Sequence, residues 1–169
     1  MKAPAVRSTL ALSVLCLAAV ALPASAQQSK PTSKPQTREV ERGRYLVKVA
    51  GCNDCHTAGY ATAGGKVPEP EWLKGDKLGW RGPWGTTYAV NLRLYMTSMS
   101  ETGWVQAARN MKARPPMPWF ALHDMTEQDL KAIYHYVQWL GPAGEPAPTY
   151  VPPGRDPRGP VVQFPVAAN

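Results

Sequence analysis

The stretch Cys52-Asn53-Asp54-Cys55-His56 constrains this chain more than any other. Two thiols three residues apart project from one side of a helical turn, and the histidine that follows reaches toward the same face. A structural zinc site would want four ligands. Of the three cysteines, Cys16 lies in the apolar leader discussed below, so a processed chain keeps only two thiols. A thioredoxin-like pair would want a βαβ context, and no strand pattern precedes the motif. A bare disulfide would close a very short loop of little entropic value and leave the histidine unexplained. The pattern that accounts for all three side chains is C-x-x-C-H, the attachment motif of c-type haem. Cys52 and Cys55 add to two vinyl groups on one haem edge, His56 reaches the iron, and the expected cofactor is one covalent haem c. Thr57 extends the string to C-x-x-C-H-T.

The beginning of the chain agrees with that chemistry. Lys2 and Arg7 form a short basic region, an apolar run follows from Leu10 to Leu22, and Ala24-Ser25-Ala26 has the small residues of a cleavage site. We read residues 1–26 as a signal peptide cleaved near Ala26. The apolar run is about 13 residues, against roughly 20 for a membrane-spanning helix, so stable membrane insertion after cleavage is not expected. Lipid attachment at Cys16 is disfavoured by its place inside the run. Export to the periplasm suits haem attachment, which takes place after export in bacteria.

Losing Lys2 and Arg7, with no acid removed, lowers the formal charge from +7 to +5. The basic residues form no dense run, and export removes most nucleic-acid partners. The expected partners are redox proteins with an acidic docking face, their attraction weakening as salt screens it. Plain solubility is the alternative reading of the charge.

Four regions follow along the chain. After the signal, residues 27–37 are Gln-, Ser-, Thr-, Lys- and Pro-rich and read as a flexible lead-in. Residues 38–141 form the globular domain. Residues 142–169 form a tail in which Pro142, Pro146, Pro148, Pro152, Pro153, Pro157 and Pro160 exclude helix and favour extended backbone. That tail is read as a strap over the domain or a docking element. No internal repeat is present.

The domain reads as all-α. Arg38 to Ala50 has helical spacing, with Tyr45, Leu46 and Val49 as the apolar positions. Thr57 to Asn91 is rich in glycine and proline and carries Trp72, Trp80, Trp84 and Tyr88; with neither period sustained, it reads as loop with a short helix. A helix is expected over Glu101 to Lys112, capped by Ser100, with Val105, Ala108 and Met111 inward. The last helix is capped by Thr126, has Asp129 three positions on, and carries the stripe Leu130, Ile133, Val137 and Leu140. Gly141-Pro142 stops it.

The sixth iron ligand decides what the haem does. Met96, Met99, Met111, Met117, Met125, His123 and His135 are available. Met117 stands out in Arg114-Pro115-Pro116-Met117-Pro118-Trp119, because three prolines stiffen the backbone around a weakly bonding thioether. The alternative is that Met117 merely fills space. Met111 is expected to face the core and Met125 adjoins the Thr126 cap. His123 is the rival ligand; His135, between two tyrosines, reads as a surface residue.

Together these residues resemble the class I cytochromes c, in the bacterial periplasmic branch of small monohaem carriers, over about Arg38 to Gly141. The resemblance rests on Gly43-Arg44-Tyr45-Leu46-Val47 ahead of Cys52–His56, on Gly85-Thr86-Thr87-Tyr88-Ala89-Val90-Asn91-Leu92, on Pro116-Met117-Pro118-Trp119 and on Asp129-Leu130-Lys131-Ala132-Ile133. It implies a cytochrome c fold, about three to five helices around one covalently bound haem with long Gly/Pro-rich loops. The first and last helices should cross, Gly43 approaching Ile133 and Tyr136. Tyr88 and Asn91 should lie near the haem propionates, with His56 and Met117 on the iron. Arg93-Leu94-Tyr95 departs from the Thr-Pro-Asp that often follows in relatives, and the tail extends past the usual domain end.

The expected function is electron transfer without catalysis by the chain itself. With both axial positions filled, the iron changes oxidation state without binding substrate. An enzyme or gas sensor with an open or His-ligated sixth position is the alternative. Against it, cytochromes c′ carry their motif near the C-terminus, whereas over a hundred residues follow it here. Dihaem peroxidases need a second C-x-x-C-H. A monomeric carrier and a cytochrome subunit of a dehydrogenase or oxidase complex share this chemistry.

Overall fold

The computed structural model describes residues 34–165. The signal peptide with its cleavage site, Cys16, and the lead-in up to residue 33 lie outside the described residues. Six α-helices and a small sheet make up the described part. The fold is mostly helical, as expected, with one helix more than the upper expectation.

Helix α1 (Lys34–Val49) starts four residues ahead of the expected Arg38, taking in the end of the lead-in. Its inward face also differs. Leu46 and Val47 are buried, whereas Tyr45 and Val49 are 54% and 59% exposed. The reason is the crossing with α6 (Glu127–Leu140). Gly43 sits at the crossing, and a Cβ there would stand 2.7 Å from Tyr136 Cβ and closer still to the Ala132 carbonyl. The face of α1 is therefore centred on Gly43, Leu46 and Val47, and Tyr45 is rotated outward under the Arg42 guanidinium, 5.5 Å away. From α6, Leu130, Ile133, Tyr136 and Val137 complete the packing, each at most 3% exposed. Burying such side chains stabilises the fold by about 1.5–3 kcal/mol each.

The caps expected for the later helices are present. Ser100 Oγ accepts from Gly103 N–H at 3.1 Å at the start of α4 (Glu101–Asn110), and Thr126 Oγ1 accepts from Asp129 N–H at 3.1 Å at the start of α6. Two helices went unread: α3 (Leu92–Thr97) and α5 (Phe120–Asp124), each too short to show a period.

The Gly/Pro-rich stretch is not all loop. Its strands β1 (Gly79–Gly82) and β2 (Gly85–Tyr88) form an antiparallel hairpin. Four residues each, opening on glycine, they have no apolar alternation to reveal them. Strand β3 (Val161–Gln163), from the tail, pairs parallel to β1 and gives the order β2-β1-β3.

The tail lies along the domain as a strap. Asn91 Nδ2 donates to the carbonyls of Ala143 and Glu145 at 2.8 and 3.2 Å. Thr86 and Val151 exchange backbone hydrogen bonds of 2.7 and 3.0 Å. Phe164 packs on Trp80 and Trp84, with ring centroids 6.1 and 5.2 Å away. Buried Arg93, the point of departure from the Thr-Pro-Asp pattern, ties the strap's root to the core. Its guanidinium donates to Gly141 O at 2.5 Å, to Pro70 O at 2.8 Å and to Leu140 O. It thus satisfies carbonyls that the end of α6 leaves unpaired.

Candidate haem site

The motif folds as the short helix α2 (Cys52–His56), entered through Gly51 in the left-handed region at φ 73°. Asn53, buried in α2, accepts from Thr57 Oγ1 at 2.7 Å, and Thr57 Oγ1 accepts from Leu73 N–H at 2.8 Å. His56 O accepts from Gly75 N–H at 2.8 Å. The following loop is thereby folded back onto the motif, and Asn53 points inward while Cys52, Cys55 and His56 line a common cavity.

That cavity measures about 590 Å³, within the roughly 300–1,000 Å³ typical of ligand sites. Its floor is apolar, with Val47, Leu73, Met96, Trp104 and Ile133 on it. One wall comes from the tail residues Pro148, Thr149 and Tyr150.

His56 is 8% exposed, and its Nδ1 lies 2.7 Å from the Val90 carbonyl oxygen. A carbonyl only accepts, so Nδ1 carries the hydrogen and Nε2 keeps its lone pair for a metal. Burial pushes the imidazole's pKa down and the Val90 bond only partly offsets this, so the ring is neutral. Burial pushes the Cys52 thiol up to about 11 and raises that of Cys55 as well, with Asp54 and Asp76 adding to the Cys55 shift. Thiols held protonated in this way are unlike the low-pKa thiolates of redox pairs.

The polar lining suits a ligand with carboxylates. Trp80 lines the cavity, and its Nε1–H is buried with no hydrogen-bond partner among the described residues. Lys112 and Arg114 also line it, and neither has a carboxylate partner among the described residues. An apolar chamber lined by an unsatisfied donor and, among the described residues, by two cations without a carboxylate partner matches a macrocycle carrying two acid groups.

The other candidates divide by residue type, four methionines on the cavity lining and both histidines off it. Met117 is half-buried and lines the cavity, as do Met111, Met125 and Met96. Met111 lies just past the end of α4, which stops at Asn110 rather than the expected Lys112, and is therefore at the cavity rather than on the inward face of a helix. His123 is not on the lining. Its Nε2 is 3.1 Å from Met111 O, and its ring packs 5.0 Å from Trp119. His135 lies at the surface, 2.9 Å from Glu101 and 3.4 Å from Glu39. Tyr88 lines the cavity. Asn91 does not, although Val90 and Leu92 on either side of it do: its Oδ1 caps α3 by accepting from Leu94 N–H at 3.1 Å, and its Nδ2 is committed to the tail carbonyls. Sequence reasoning missed Val90, which acts through its backbone, and Trp80, whose orphaned N–H appears only once its neighbours are placed.

These features define a helical domain built around a covalently attached metal macrocycle. The family comparison agrees: the cytochrome c model matches residues 40–141, and the chain belongs to the cytochrome c family. It therefore binds covalently attached haem c with iron, and its chemistry is haem-based electron transfer. No curated protein matches the chain, and no solved structure does.

Proposed function

We propose that this protein is a periplasmic monohaem carrier that passes single electrons between redox proteins, with Cys52 and Cys55 as the thioether attachments and His56 and Met117 as the axial ligands. The observation that carries the reading is the split between methionine and histidine candidates, with Met117 set apart from the other cavity methionines by the prolines on either side of it. Met117 lines the cavity with His56, while His123 is turned away and bonded to a backbone carbonyl.

In this reading the haem supplies a one-electron couple, and the chain's residues set its conditions. Val90 holds the imidazole of His56 in the Nε2-ligating tautomer and raises its donor strength. The prolines around Met117 limit the movement of the thioether. Methionine ligation and a low-dielectric chamber both disfavour the extra positive charge of the ferric state, so both raise the reduction potential. Trp80 Nε1–H, Lys112 and Arg114 receive the propionates, with Tyr88 beside them. Partners are redox proteins with an acidic face, and the chain acts alone or as a cytochrome subunit of a larger redox complex. No helix among the described residues is long and apolar enough to cross a membrane.

The test is the near-infrared absorption of the oxidised holoprotein. The weak methionine–iron charge-transfer band is expected in the parent and in His123→Ala, and lost in Met117→Ala. Persistence of the band in Met117→Ala would reject the assignment, and rapid carbon monoxide binding by the reduced parent would favour an open site.

A further inference from the structure

The loop that carries Met117 is held from outside as well as by its own prolines. Arg114, three residues before Met117, places its guanidinium carbon 3.8 Å from the centre of the Tyr150 ring. Pro115 O accepts from Thr87 Oγ1 at 2.7 Å. Both attachments lead to the same support. Tyr150 Oη donates to Trp84 O at 2.8 Å, between β1 and β2. The next residue, Val151, exchanges two backbone bonds with Thr86 in β2. Gly85 makes this seating possible: a Cβ there would stand 3.0 Å from Tyr150 Cε2 and closer still to Val151 O. Tyr150 itself lines the haem cavity.

We propose that Tyr150, from the tail beyond the last helix, is a positioning residue for the sixth iron ligand. It clamps the Met117 loop through Arg114 and so keeps the thioether over the cavity. This rests on the reading of Met117 as a ligand. A proline-rich tail is suited to the task, since its backbone loses little freedom when it is seated. The guanidinium lies over the ring, so its N–H edges remain available to a carboxylate, and the clamp is compatible with Arg114 facing the propionates.

The test compares Tyr150→Leu and Tyr150→Phe in full-length, haem-loaded protein. The readouts are the pH at which the methionine–iron band is lost and the hydrogen exchange of residues 112–119. Tyr150→Phe keeps the ring under Arg114 and should largely preserve the parent's behaviour. Tyr150→Leu should favour the ligand-off state by about two- to five-fold, the worth of a cation–π contact at an exposed site, and so lose the band at lower pH with faster exchange in the loop. Arg114→Leu, which also removes a cation facing the propionates, should shift the band at least as far, and adding Tyr150→Leu to it should change little further. Equal band loss and equal exchange in the Leu and Phe variants would overturn the clamp. If the parent lacks the band, the Met117 reading has failed by itself. The clamp is then judged on exchange alone: faster loop exchange in Tyr150→Leu than in Tyr150→Phe supports it, and equal rates reject it. Should Tyr150→Leu not load haem, the same comparison is made between Tyr150→Met and Tyr150→Phe, since Phe keeps an aromatic face under Arg114 and Met does not. Equal behaviour of those two would likewise overturn the proposal.

Discussion

Gly43 in α1 and Tyr136 in α6 meet at a crossing with no room for a methyl group, since a Cβ on Gly43 would stand 2.7 Å from that of Tyr136. The opposing Ala132 carbonyl is backbone and cannot rotate away. Gly43→Ala must therefore push two helices apart along a face that includes Leu46, Val47 and Ile133. We expect a loss of about 3 kcal/mol, the upper part of the range for overpacking a core, measured by denaturant unfolding of the holoprotein. An unchanged midpoint would show that the crossing is not tight.

Tyr136 also reaches past the crossing to Glu69, whose Oε1 accepts from its hydroxyl at 2.8 Å and from Arg44 Nε at 2.7 Å. Burial alone would raise the Glu69 pKa, but the hydrogen bonds from Arg44 and Tyr136 outweigh it and hold the carboxyl below its ordinary value of 4.5. A depressed folded value means that stability from this contact is complete above 4.5 and is lost as pH falls through the lower folded value. Glu69→Gln should thus narrow the stability difference between pH 7 and pH 3, as read from unfolding midpoints across that range. A variant with the parent's pH slope would contradict this.

Asn91 links α3 to the tail, and its removal should act on stability rather than on the haem. Asn91→Ala loses an N-cap, about 1 kcal/mol, and leaves two tail carbonyls without their donor, roughly another 1 kcal/mol. The expected outcome is a lower unfolding midpoint with an unchanged haem absorption spectrum. A spectrum altered as strongly as in Met117→Ala would place Asn91 back at the haem.

Trp80 offers a buried N–H with no partner among the described residues. A donor to an ionised propionate lowers that propionate's pKa, and an ionised propionate favours ferric iron. In Trp80→Phe the propionate should ionise at higher pH, so the fall of midpoint potential with pH moves upward. Potentiometry across the titration checks this, and an identical profile would remove Trp80 from the site.

The legible parts of this molecule were those written over short distances. Thr126 caps α6 with Asp129 because three residues separate them along one chain, and Leu130, Ile133 and Val137 pack because their spacing is helical. The α1 face was misjudged by the same logic: Tyr45 and Val49 have the right spacing, but Gly43, whose small size decides where α6 lands, carries no hydropathy signal. The hairpin was unreadable because its four-residue strands, rich in glycine and threonine, do not alternate. The hydrogen-bond partners of Asn91 were equally hidden, because Ala143 and Glu145 lie over fifty residues away.

What the sequence determined by itself was the covalent chemistry, because Cys52, Cys55 and His56 belong to one turn of helix and need no distant partner to define their common face. What only the tertiary structure decided was how that chemistry is enclosed. The Val90 carbonyl that sets the His56 tautomer, the turning away of His123 and the seating of Tyr150 against Arg114 all depend on segments far apart in sequence. Backbone acceptors and close approaches at glycine leave no mark in composition or period, and they come into being only when the chain has folded.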